Sequence, residues 1–338
     1  MFRYLGKSFL LIAVSVVIMC GAYPLILWGI GQTVFPFQVN GSIVRDNDGK
    51  VIGSLLVAQP FTKDEYFQPR PSAASFDATA STSSGYAPSN YALRDRVARV
   101  IGPVATYADG ANKGKSVAPD VEAWFQADRA GGNPHIVGQW ADAHNSLAQG
   151  WVTGDPTHGA YVDAWAKTHD ADVKDWVKAN PATPQPKASD LAVAFFKSFS
   201  NEHPGMFPSS VTKTGADGKP VTDIEPVNTG SDIQSMFFDM WRADHPDVAL
   251  NDLPGDLVTA SASGLDPHIT YENAEFQLDR VAAKWADDKK RDVAEVRKEI
   301  EAILADKAFA PWGGLIGEKI VNVLEVNLEL HKRYGEPS

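Results

Sequence analysis

The chain has 338 residues, 44% apolar and 22% charged, a balance that supplies a packed core and excludes wholesale disorder. A net charge of −11 is repelled by phosphate backbones, which excludes nucleic acid as a partner and leaves no polybasic handle for anionic lipid. The single cysteine, Cys20, excludes an internal disulfide.

The first thirty residues carry the strongest physical signal. No charged side chain occurs from Ser8 to Ile30, while Arg3 and Lys7 precede the run. At about 1.5 Å per residue this stretch spans a bilayer core of roughly 30 Å. The sequence therefore predicts an uncleaved membrane anchor over residues 1–35. The positive-inside rule places Arg3 and Lys7 in the cytoplasm and the rest of the chain outside, in the periplasm of a bacterial inner membrane. A cleaved signal peptide has a shorter apolar region, and Met19 before Cys20 is too large for a lipoprotein cleavage site. Pro24 breaks the helical hydrogen-bond ladder locally. Gly21, Ala22, Gly29 and Gly31 are small enough for a second membrane helix to approach.

Residues 39–59 place two short apolar runs around Asp46-Asn47-Asp48-Gly49, which predicts a β-hairpin. The following segment contains Pro69, Pro71 and Pro88 among Ser, Thr and Gly, and predicts a long ordered loop closed by a helix over 90–101. Residues 108–250 hold six of the nine tryptophans. Apolar periodicity predicts helical patches at 121–130, 139–148, 160–167, 173–179, 191–199 and 233–243, with a turn at Asp217-Gly218 and no exact repeat period. Thr270 is placed to cap a helix with Leu278, Val281, Ala282 and Trp285 on one face. A second helix is predicted over 292–305, and residues 321–330 alternate like a strand before turning helical.

Several motifs resemble catalytic signatures and fail on spacing. Ser261, Ser263, Asp266 and His268 are the residue types of a hydrolytic triad, but they lie too close in sequence for a nucleophile–base–orienter line, and no G-x-S-x-G elbow surrounds either serine. They predict a packed polar loop. The phosphate-loop lookalike at 110–116 has Asp109 where the first glycine belongs. The eight histidines form no His-x3-His pair, which argues against a metal site. The tryptophans, at helical spacing among apolar neighbours, predict core packing before a sugar cleft.

Three segments then resemble one family. They are the anchor with its hairpin and Gln59-Pro60-Phe61, the run Tyr66-Phe67-Gln68-Pro69-Arg70-Pro71-Ser72-Ala73 continuing to Ser83-Ser84-Gly85 and Pro88-Ser89-Asn90, and the run Val258 to Ile269 with Val321 to Leu328 at the end. Together and in order they resemble KdpC, the small subunit of the bacterial potassium-transporting Kdp P-type ATPase. The resemblance covers residues 1 to about 105 and about 255 to 330, and leaves 108–250 as an insertion.

The resemblance implies an α+β fold: one transmembrane helix, a mixed α/β periplasmic domain from 36–107 and 251–338, and here a mostly helical insertion. It implies a non-catalytic accessory subunit that stabilises a potassium-uptake complex and raises the ATP affinity of the pump. Its partners would be a channel-like potassium-binding subunit and a P-type ATPase subunit, in the lipid bilayer. ATP and potassium would be handled by those partners, with no cofactor held by this chain. A domain outside the membrane can influence cytoplasmic ATP only through coupled conformations. The two small-polar loops are predicted to form one docking face held by Arg70 and Asp266, with Ser72, Ser84, Ser89, Asn90 and His268. Arg70, between two prolines, suits a fixed fork for a carboxylate or carbonyl, or a bridge within the domain. Two other functions stay open: a membrane-tethered periplasmic hydrolase, or a binding or scaffold module, either using the Trp-rich insertion.

Overall fold

The computed structural model describes residues 2–46, 48–87, 89–214 and 219–337. The predicted Asp217-Gly218 turn lies outside these residues. The fold mixes helix and sheet, and its contacts divide it into two compact units. One runs up to Gly85 and resumes at Pro254; the other is Tyr86–Leu253.

The first unit begins with a helix from Phe2 to Val34. Its candidate span, Tyr4–Val34, is 31 residues containing an 18-residue window of mean hydropathy 2.5 with none of that window buried, long and apolar enough to cross a membrane. The ladder is not uniform. Val17–Ala22 winds as a π-helix ahead of Pro24, a local widening of the kind that accommodates a ring with no N–H to donate. A hairpin follows, Ile43–Arg45 against Val51–Ser54. Its turn is tied by Asp46, whose Oδ1 accepts from the backbone N–H of Asp48 and Lys50.

The core of this unit is three helices, Tyr271–Lys289, Val293–Lys307 and Val323–Tyr334, on a two-stranded sheet pairing His268–Thr270 with Ile320–Asn322. Each helix starts where a side chain accepts an orphan backbone N–H. Thr270 bonds Asn273 N, Asp292 bonds Glu295 N, and Asn322 bonds Leu324 N and Glu325 N. Trp285, Val296, Ile300, Leu304, Val326 and Leu330 form the apolar centre.

The second unit is mostly helical, with two strand pairs among its described residues that the sequence did not predict. The short one, Arg129–Ala130 with Asn133–Pro134, takes the end of the helical patch predicted at 121–130, where the helix stops at Gln126. The other is longer. Phe207–Thr214 and Pro220–Val227 form an eight-pair antiparallel ribbon. Only Phe207, Pro208 and Ser209 of its first strand are buried, so the period-two apolar signal of a half-buried strand is missing. The predicted patches at 139–148 and 233–243 are each two helices, breaking at His144 and Phe237.

Several helix ends share one pattern. Among the described residues, five helices stop at a His or Asn four residues after an aromatic: Trp140–His144, Trp165–His169, Trp176–Asn180, Phe199–His203 and Trp241–His245. In each, the N–H of the capping residue donates to the aromatic carbonyl at 2.8–3.0 Å, with φ between −116° and −130° and ψ of 49–69°. The rings of His169 and His245 also donate Nδ1–H to that carbonyl. In these two the side chain adds a second hydrogen bond to a carbonyl that already holds the capping N–H. The tryptophans pack inward as predicted. Trp140 is fully buried and meets Phe196 and Phe207 edge-on at 5.2 and 5.7 Å.

Candidate functional site

In the first unit the loop 60–85 lies on the helical core, and side-chain amides take the place of a partner strand. Asn327 accepts from Phe67 N–H and donates to Phe67 C=O, both at 2.9 Å. Gln277 does the same for Gln68, at 2.8 and 3.0 Å. Arg280 adds donors to the carbonyls of Asp64 and Tyr66; burial lowers its pKa but leaves a guanidinium charged. Phe67, pinned between these amides, fills the core at 1% exposure.

This loop and the segment 259–268 are joined, as the sequence predicts, but not through an Arg70–Asp266 pair. Arg70 gives Nε to the Thr259 carbonyl at 3.3 Å and Nη2 to Thr259 Oγ1 and the Ala260 carbonyl at 3.3 and 3.5 Å. Ser72 Oγ donates to the Gly264 carbonyl, and Thr82 N–H to that of Ser263. Gly264, at φ +70°, has no room for a side chain: a Cβ would come within 2.7 Å of the Thr82 carbonyl and 3.0 Å of Ala74 N. Asp266 is held separately by His268, whose ring and backbone N–H both bond Oδ1. That imidazole keeps the Asp266 carboxyl below its usual range. Ser261 and Ser263 turn their hydroxyls to the backbone N–H of Asp266 and Leu265, so this loop assembles no nucleophile–base line. Ser84 is half-buried at the end of the first loop.

Ser89 and Asn90 belong to the other unit, where Asn90 caps the helix Tyr91–Ile101 by accepting from Ala92 N–H. Along the N-terminal helix, a Cβ at Gly21 or Gly29 would meet nothing within 4 Å, and Ala22 is exposed. Gly31 differs: a Cβ there would fall 2.7 Å from Val39 Cγ2 of the same chain.

One feature of the face escaped the sequence. The His268 ring meets Phe309 edge-on at 5.6 Å, and Phe309 bridges to Ile320. Between them the chain forms a tip with positive φ at Trp312, Gly313, Gly314 and Gly317. It presents Trp312, Leu315 and Ile316 at 82, 88 and 71% exposure. Large apolar side chains among glycines, between a helix and a strand, were the available signal.

For metals, the ligand atoms of Asp95, His144 and Asp239 lie within 4.8 Å of one another. Arg94 already engages Asp239 through Nε and Nη2 at 3.0 and 2.7 Å, and the grouping carries no metal assignment.

The sequence matches the family described as K+-transporting ATPase, c chain, KdpC, over residues 5–144 and 232–332, more than two thirds of the chain. The chain belongs to the KdpC family. Curated KdpC proteins are similar to it, each named potassium-transporting ATPase KdpC subunit. That of Pseudomonas syringae pv. tomato is 52% identical over 89 residues, 26% of this chain and 47% of the relative. That of Pseudomonas savastanoi pv. phaseolicola is 44% identical over 119 residues, 32% and 62%. That of Caulobacter vibrioides is 41% identical over 145 residues, 39% and 74%. The chain thus spans about half to three quarters of the length of these relatives. The KdpC pattern includes both joined loops, and its interruption, 145–231, lies inside the second unit.

Proposed function

We propose that this chain is the accessory subunit of an ATP-driven potassium-uptake complex, anchored by one N-terminal helix with its N-terminus in the cytoplasm and its body in the periplasm. The reading is carried by the KdpC match across both loop segments that the first unit joins into one face. On this reading the face docks on the channel-like and ATPase subunits. Arg70, Ser72 and Gly264 fix its shape, Asp266 and His268 supply its polar edge, and Trp312, Leu315 and Ile316 supply an apolar anchor. Buried aromatic anchors dominate the energetics of interfaces. The chain stabilises the complex and raises the pump's ATP affinity by favouring one of its conformations, since a periplasmic body has no contact with cytoplasmic ATP. ATP and potassium are bound by the partners.

The test is co-purification from membranes. A Trp312→Ser/Leu315→Ser variant changes only exposed side chains, so its own melting temperature is expected to hold while recovery of the ATPase subunits falls at least tenfold. Arg70→Gln and Asp266→Asn are expected to weaken recovery as well. Wild-type recovery and potassium uptake in all three variants would refute the docking face.

A further inference from the structure

The second unit contains a nucleophile–base pair that no motif announces. His158, on the helix Pro156–Thr168, lies flat on Trp151, with ring centroids 3.9 Å apart and planes 11° apart. Its Nδ1 is 2.8 Å from the Trp151 carbonyl. A carbonyl oxygen only accepts, so Nδ1 carries the proton and Nε2 of the neutral ring is an acceptor. That Nε2 is 2.9 Å from Oγ of Ser210, an exposed residue on the first strand of the ribbon. The serine hydroxyl therefore donates to a base whose tautomer and ring plane are fixed from behind, the relation by which a neutral imidazole activates a hydroxyl.

The pair opens into a cavity of about 470 Å³ within this unit. Leu147, Phe207 and Met236 give it apolar walls, and Arg99 brings a guanidinium to its lining. Burial lowers the Arg99 pKa, and the charges of Asp95 and Asp232 oppose that shift. Asp232 also lines the cavity, but its carboxylate accepts from Ser209 Oγ at 2.8 Å and is not the partner that orients His158.

We infer that Ser210 and His158 form an acyl-transfer site for carboxylic esters with a short apolar acyl group, independent of the subunit role of the other unit. Ser210 Oγ attacks the ester carbonyl carbon and its proton passes to His158 Nε2. The tetrahedral adduct collapses, and the departing alkoxide takes that proton from Nε2 and leaves as the alcohol. Water then attacks the acyl-serine, giving its proton to Nε2. The proton returns to Oγ as the carboxylic acid departs. Arg99 supplies positive charge to the cavity where the carbonyl oxygen turns negative.

The experiment uses the full chain in detergent, with a fluorophosphonate probe and p-nitrophenyl butyrate. The probe is expected to modify the peptide bearing Ser210, and Ser210→Ala to abolish both labelling and hydrolysis. His158→Gln, which keeps a polar side chain, is expected to slow both by about 100-fold or more, the usual worth of a positioned base. Melting temperatures of both variants serve as the folding control. Absence of label at Ser210 in the folded wild type, or hydrolysis unchanged by Ser210→Ala, would overturn the assignment. Loss of complex assembly leaves these readouts untouched, so the two proposals fail separately.

Discussion

Asn327 holds the loop that carries Arg70. Its amide is 2% exposed, and its two hydrogen bonds satisfy both backbone groups of Phe67. Asn327→Ala leaves a buried N–H and C=O without partners, at about 1–3 kcal/mol each. Urea unfolding is expected to show a loss of roughly 2–4 kcal/mol, where an exposed Asn→Ala change costs about 0.5 kcal/mol or less. Gly264 is limiting in another way. Gly264→Ala combines a left-handed φ with a Cβ forced onto the Thr82 carbonyl, and is expected to raise protease sensitivity in the 70–90 segment. Residues such as Thr270 were legible in the sequence because capping is local. Asn327 and Gln277 were not, because each acts on a loop more than two hundred residues away in the chain. The Ser210–His158 pair was hidden for the same reason, with 52 residues between its members.

The elements are tied by groups that titrate. Glu299, on the helix Val293–Lys307, accepts from Arg291, from Arg333 and from Tyr334 at the end of the C-terminal helix. These donors hold its carboxyl far below the ordinary 4.5, while burial and then the Glu299 contact push Tyr334 up to about 12. A carboxyl with a depressed folded-state pKa contributes fully above its ordinary value and loses that contribution as the pH falls toward the folded value. The melting temperature of the wild type is therefore expected to drop between pH 5 and pH 3 (a range set by that ordinary value), and Glu299→Gln to flatten the drop while lowering stability at pH 7. Equal acid sensitivity in both proteins would show that Glu299 is not the clamp. In the second unit, Gly102 lets the helix Tyr91–Ile101 end against the backbone of Gln234, where a Cβ would fall 1.9 Å from the carbonyl oxygen. Gly102→Ala is expected to cost about 1–3 kcal/mol through forced displacement. Helices with one apolar stripe were readable in place but not in their ends, as the breaks at His144 and Phe237 and the stop at Gln126 show. The ribbon 207–227 was not, because prolines at 208, 220 and 226 and a largely exposed pair of strands erase the alternation that marks a strand.

For the whole molecule, an apolar helix long enough to cross a membrane and two joined loops that fall within the KdpC match are the features on which the proposed subunit role rests. The apolar N-terminal helix was legible because a run of twenty-odd uncharged residues announces itself without any long-range context. The face was legible only as a resemblance, since an irregular loop has no periodicity and takes its shape from side chains elsewhere in the unit. The central claim is best tested by affinity purification of the full chain from native membranes in mild detergent, with partners identified by mass spectrometry. The account predicts that potassium-transporting ATPase subunits are recovered with the chain and that its first thirty residues remain attached. Recovery of the chain alone, soluble and lacking those residues, would contradict it.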